Sequence, residues 1–376
     1  MKKTLLRFAL VLVPVLSLCL VALSCGMPES EYVARRPYDP SLDGWRSASW
    51  LPFCVGDRIT GFAYGNGRYV AVSVSGRIGW SPDGDRWFPG VMTSTVANFN
   101  AVAFGNRIFI AVGNGGTFAI SLEGEHWVVV GGMPGFGTYD ISGIVWGHTP
   151  RGGYFVAVGG PRRVYGQGGN VVQTAGPRIS HSVNGINWVG GVPWSSNERL
   201  NDVAFGNGRF FAVGDGGHRG WSGDPAAGWN HFGPTYPIGT SNIVSVTFGS
   251  RGNGIGIGIV FDRIYRGPYY LPYYERRRDM AIATHIDFTN FDLDLREFLF
   301  LANRVNDIAY ANGYFVAAGT GAMIGFWPTA EPSRHSEHFW RALSFPDFML
   351  WEITAVAALN GRFFVGNYDG RIGYSK

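Results

Sequence analysis

The chain has 376 residues, 46% of them hydrophobic and 15% charged, with 56 glycines and a formal net charge of +4. That apolar share excludes a disordered polypeptide, and abundant glycine without a Gly-X-Y period excludes collagen. The length allows two or three domains or one large all-β unit, so the pattern along the chain decides the organisation.

Lys2, Lys3 and Arg7 make a positive start, and Phe8 to Leu23 is apolar apart from Ser17, with Pro14 inside the run. The run is shorter than the ~20 residues of a membrane-spanning helix. It ends in Ala22-Leu23-Ser24-Cys25, which resembles a bacterial lipoprotein signal. The resemblance implies that residues 1–24 are removed and that Cys25 carries acyl chains such as palmitate. It places the protein on the periplasmic side of the inner or outer membrane, or at the cell surface. Loss of Lys2, Lys3 and Arg7 lowers the net charge to +1, which removes the electrostatic basis for nucleic-acid binding. Cys19 leaves with the signal, so Cys54 is alone and reads as a small buried hydrophobe, with no disulfide expected. Residues 25–40, with three prolines, read as a tether between the lipid and a domain over 41–376.

A self-similar unit runs through that domain. Copies start near Ile59, Asn100, Ile141, Asn201, Ile243, Asn306 and Ile353, a mean step of 49 residues. Each copy reads as an alternating run ending in aromatic-Gly, a Gly-Asn-Gly type turn, a β-branched and aromatic strand, a third strand, and a polar turn closed by tryptophan. Four short strands per unit predict a propeller blade. The last copy stops at Lys376, before a turn and outer strand. Ser41-Leu42-Asp43-Gly44-Trp45 and the run Ser47–Phe53 offer the missing piece. The expected fold is therefore all-β, a single seven-bladed β-propeller closed by the N-terminal strand.

The turns Ser81-Pro82-Asp83-Gly84-Asp85-Arg86-Trp87, Ser121 to Trp127 and Ser182 to Trp188 resemble the Asp-box (BNR-type) repeats of sialidase-like propellers. They are also similar to repeats of bacterial surface lipoproteins and of photosystem II assembly-factor propellers. The resemblance covers about residues 41–376. It implies a fold rather than an activity, since the scaffold hosts many functions.

Long insertions fall between the second and third strands of two copies, at 161–178 and 262–279. The first holds Arg162 and Arg163 and carries +3. The second holds Arg266, Tyr269, Tyr270, Tyr273, Tyr274, Arg276, Arg277 and Arg278 and carries +2. The copy between them offers His218 and Arg219 at the equivalent place. Inter-blade loops of the same face add Phe136, Trp194, Tyr236, Phe348 and Trp351. Arginine with tyrosine is the composition of protein-recognition surfaces. The expectation is a monomeric, non-catalytic scaffold for an envelope protein, with a glycan ligand as the alternative. No cofactor or metal is expected. His335 and His338 lack a second ligand pair, and Gly113–Gly116 and Gly166–Gly169 precede no helix that would cradle a phosphate. A sialidase needs clustered arginines and a tyrosine activated by a glutamate. Glu275 beside Tyr273 and Tyr274 is a neighbourhood in sequence only, so a glycoside hydrolase stands as the remote alternative.

Overall fold

Strands form where the repeat predicts them. The computed structural model describes residues 44–375 except 50, 51, 54, 97, 161–175, 177, 193, 195, 235–237, 252, 253, 267–273, 284–290, 293–304, 321, 322, 329–342 and 345–351. Signal, lipidation site Cys25, tether and Cys54 lie outside the described residues. The chain divides into two compact units, Met1–Gly44 and Trp45–Lys376, and all described strands belong to the second.

In chain order, the sheets begin with Ile59–Gly65, Arg68–Ser73, Ile78–Ser81 and Phe88–Pro89. The second has Ala101–Gly105, Ile108–Val112, Thr117–Ser121 and His126–Gly132; the third has Asp140–Thr149, Gly152–Gly160, Arg178–Ser182 and Val189–Gly190. The fourth has Leu200–Gly206, Arg209–Gly214, Arg219–Ser222 and Asn230–Phe232; the fifth has Ile243–Arg251, Gly254–Arg266, Tyr274–Ala283 and Phe291–Asp292. Val305–Ala311, Tyr314–Gly319, Met323–Pro328 and Leu343–Ser344 follow, and Ile353–Leu359, Arg362–Asn367 and Ile372–Tyr374 end the chain. Each first strand packs on the first strand of the next sheet, and the last returns to the first, a β-propeller arrangement. Strand direction alternates within a sheet. First-to-second and third-to-fourth turns therefore share one face, here the turn face. Second-to-third and sheet-to-sheet connections share the opposite, loop face.

The expected ring of seven like blades closed by an N-terminal strand needs correction. Six sheets are four-stranded, while the sheet containing His126–Gly132 is five-stranded, because Val91–Met92 pairs parallel to that strand. The N-terminal contribution among the described residues is two exposed ones, Arg46 and Ser47, opposite Tyr374 and Gly373. The first and last sheets are joined chiefly through their inner parts. Thr354 Oγ1 donates to the Ile59 carbonyl at 2.7 Å, and Phe364 packs on Phe62 and Trp87.

That latch recurs. Thr60 Oγ1 donates to Phe99 O (2.9 Å), Asn100 Nδ2 to Ile141 O (2.8 Å), Asn201 Nδ2 to Ile243 O (2.9 Å) and Asn306 Nδ2 to Ile353 O (2.7 Å). Thr60, Asn201, Asn306 and Thr354 are each the extra residue where the first strand shifts register against the second. A bulge re-aims its side chain out of the strand's own alternation, here onto the neighbouring sheet. The aromatic-Gly ending has a similar purpose. A Cβ on Gly65, Gly105, Gly147 or Gly206 would fall inside the ring of Phe104, Trp146, Phe205 or Phe248 of the next sheet. Only glycine admits that contact.

In the outer turns, the amides of Gly84, Gly124 and Gly185 donate to Ser81, Ser121 and Ser182 Oγ at 2.8, 2.8 and 2.9 Å. Trp87, Trp127 and Trp188 Nε1 donate to the carbonyls of the same glycines. The three indoles are buried between sheets, so these residues build the fold.

Candidate functional site

The loop face carries a cleft of about 790 Å³ lined by Pro134–Tyr139, Arg178, Gly190 and Gly191. Its floor is the connection from the second sheet to the third, which is held firmly. Met133 and Phe136 are buried in the apolar core, Met133 N donates to Gly116 O (2.7 Å) and Tyr139 N to Phe136 O (3.0 Å). Ser180 Oγ donates to Pro134 O at 2.6 Å, pinning the connection to the third sheet. Glycines line much of the cleft, so backbone is open to a ligand.

Arg178 begins the third strand of the third sheet, directly after the 161–177 segment. Its guanidinium lies 5.0 Å from the Tyr139 ring centroid, and its Nε is buried without a hydrogen-bond partner. A guanidinium stacked on an aromatic ring keeps its fork pre-organised for a carboxylate or another planar anion. Sequence reasoning counted Arg178 in the charge of the insertion and did not single it out; its position beside the strand start was the available signal.

Arg162, Arg163, Tyr269, Tyr270 and Tyr273 lie outside the described residues, as do Tyr236, Phe348, Trp351, His335 and His338. Arg219 does not belong to a binding surface. It is fully buried, and its Nη1 donates to Gly217 O and Gly233 O, both at 2.9 Å. The short turn Asp215–Gly217 ends before it, so Arg219 opens a strand and points into the protein. Phe136 is likewise buried, at 1% exposure. The 262–279 insertion is largely a hairpin extension: Gly254–Arg266 and Tyr274–Ala283 pair continuously. Arg266 stands opposite Tyr274, Ile264 opposite Arg276, Arg263 opposite Arg277 and Asp262 opposite Arg278. Backbone pairing thus gathers Arg263, Arg266, Tyr274 and Arg276–Arg278 on one hairpin.

Two groupings escaped the sequence. His218 Nδ1 and His231 Nε2 lie 2.9 Å apart with rings nearly parallel. Burial, then the neighbouring His218 and Arg219, hold the His231 pKa below the usual histidine value. On the inner strands, Asp202 accepts from Val203 N (2.8 Å) and Val246 N (2.9 Å). Asp307 accepts from Ile308 N, Ser245 Oγ and Val356 N at 2.9, 2.7 and 2.8 Å. Burial pushes Asp202 up to about 7, with the Asp307 charge adding to it, and burial pushes Asp307 up to about 6. The repeated Asn-Asp at 201–202 and 306–307, inside otherwise apolar strands, was the sequence signal. Each carboxylate joins its own sheet to the next.

No family model matches the chain, and no curated protein matches it. Solved structures do. One described as YCF48 bound to D1 peptide aligns with a TM-score of 0.59 at 12% identity, over 90% of this chain and 98% of that one. The WD40 β-propeller domain of Doa1 gives 0.59 at 12% identity, over 89% and 97%. Virginiamycin B lyase from Staphylococcus aureus gives 0.57 at 9%, over 88% and 98%. At these identities the likeness is one of β-propeller fold, and it does not extend to a sialidase-like lipoprotein family.

Proposed function

We propose that this chain is an exported, lipid-anchored β-propeller that acts by binding an envelope protein on its loop face rather than by catalysis. The observation that carries the reading is the Arg178 guanidinium stacked on Tyr139 in an open cleft of the loop face. A carboxylate-bearing segment of the partner pairs with that guanidinium, and the arginines of the 254–283 hairpin extend the contact. A solved propeller of the same fold is described with a bound peptide, which supports peptide recognition as a use of this scaffold. Lipidation at Cys25 keeps the protein where such partners reside.

The test is a photocrosslinking amino acid at Tyr139 in the full chain, expressed in cells, with adducts identified by mass spectrometry. A discrete envelope-protein adduct is expected, lost with Arg178→Ala and weakened with Arg276, Arg277 and Arg278 changed to alanine, at unchanged melting temperature. An adduct that survives both changes overturns the reading. Turnover of a glycoside that disappears with Glu275→Gln replaces it with the hydrolase alternative.

A further inference from the structure

Nine large apolar side chains are exposed among the described residues, and seven of them fall between Val91 and Val189. Three stand at the tips of third-to-fourth turns on the turn face: Leu122 at 67% exposure, Val183 at 57% and Ile186 at 58%. Hydrogen bonds tie these tips into one strip. Asn66 Nδ2 donates to Leu122 O (2.6 Å) and to Arg107 O (3.4 Å), and Asn106 Nδ2 donates to Val183 O (3.2 Å). Arg107 is exposed between the apolar tips. The acids of the strip are engaged locally, Glu125 with Arg68 at 3.1 Å and Glu123 with His126 at 3.0 Å.

The same face receives the chain. Arg46 stands opposite Tyr374 and Ser47 opposite Gly373, in antiparallel pairing. Ile372–Tyr374 runs from the loop face to the turn face, so the N-terminal residues enter the sheet from the turn face. The six other exposed apolar residues lie elsewhere, with Val91, Val128, Val130 and Val189 on outer strands of the second and third sheets. Tyr368 belongs to a second-to-third loop, and Val55 precedes the first strand at Ile59.

We propose that the turn face rests on an anionic lipid surface, with Leu122, Val183 and Ile186 entering the headgroup layer and Arg107 meeting lipid phosphates. This rests on the reading of Cys25 as a membrane anchor. A bilayer is the occupant for which the feature set fits: shallow apolar tips, an interspersed arginine, and a strand, Arg46–Ser47, whose first residue stands toward that face. Docked this way, the protein turns the Arg178 cleft and the 254–283 hairpin away from the membrane, toward a partner.

The experiment places an environment-sensitive fluorophore on one added cysteine in the full chain, with Cys19→Ser and Cys54→Ser as background, so that acylation of Cys25 leaves a single free thiol. Labels go to Leu122→Cys or Ile186→Cys, with Tyr368→Cys as the opposite-face control. The protein is reconstituted in phosphatidylethanolamine–phosphatidylglycerol vesicles carrying brominated acyl chains. Labels at 122 and 186 are expected to shift to the blue and lose intensity to bromine quenching, while the label at 368 does neither. Acylation of Cys25 is read separately by intact mass. An acylated protein whose labels at 122 and 186 stay unquenched keeps the anchor and overturns the proposed face. An unacylated protein refutes the anchor, and quenching at 122 and 186 in a Cys25→Ser form, whose added cysteine is its only thiol, supports the face. Equal quenching at 186 and 368, or no vesicle association, overturns the proposal. Bromine reports lipid alone, so a protein partner on this face also reads as no quenching.

Discussion

The outer turns of the first three sheets and that of the fourth use the same residue types and reach different ends. In the first three, serine accepts the glycine amide and tryptophan Nε1 returns to the glycine carbonyl. In the fourth, the spacing from Ser222 to Trp229 is one residue longer. Ser222 Oγ there donates to Gly228 O at 2.6 Å, and Trp229 Nε1 is buried without a partner. Trp229 leans on Trp194 at 5.7 Å instead. On the inner strands of the second and fourth sheets the latch is unchanged: Asn201 repeats what Asn100 does. Between these two sheets the inner wall is the part that repeats. The rim changes where one residue is added: the fourth turn closes through Ser222 and Gly228, and its tryptophan packs on Trp194 rather than bonding its own glycine.

Five measurements break or sharpen that contrast, the largest effect first. Trp127→Ala removes an indole that is 1% exposed and should cost about 3–5 kcal/mol in urea unfolding. Trp229→Ala removes a half-buried indole without its hydrogen bond and should cost clearly less; equal losses would erase the distinction. Gly206→Ala drives a methyl into the Phe248 ring and should cost about 1–3 kcal/mol, where a neutral result would show that the inner contact yields.

A pH series probes the inner wall next. Folded pKa values of about 7 for Asp202 and about 6 for Asp307 lie above the ordinary 3.8. The folded state therefore holds protons that the unfolded chain releases. Their contribution to stability is fully present below the ordinary value and is lost as pH rises through about 6 and about 7. Melting temperature should fall across that window, and Asp202→Asn should flatten the fall. A slope untouched by the change would mean that other groups set it. The smallest effect is Thr354→Val, which deletes the latch to Ile59 and should cost about 1 kcal/mol, read from the urea midpoint.

Much of the architecture was readable from residues. Aromatic-Gly endings, Asn-Gly turns and Trp-closed turns recur at near-regular spacing, and each feature is satisfied within one or two sheets, so local chemistry reports it. The site was less readable. Arg219 looked like a loop residue beside His218, yet a three-residue turn rotates it inward, and two backbone carbonyls make burial tolerable. The 262–279 insertion looked like a loop, yet its two halves complete a continuous hairpin ladder. Arg178 gained meaning only when Tyr139, from a different sheet connection, came beneath its guanidinium.

The amino-acid order by itself determined the strand-forming unit, its repetition and the turn chemistry, because hydrogen bonding and side-chain alternation act over a few residues. Tertiary structure alone decided which polar groups meet across sheets. Asp202 reaches Val246 and Asp307 reaches Val356 only once first strands stand side by side. It also decided which arginine is buried, which one lines a cleft, and from which face the chain enters. Such outcomes depend on contacts between residues distant in sequence, and no local rule of the chain encodes them.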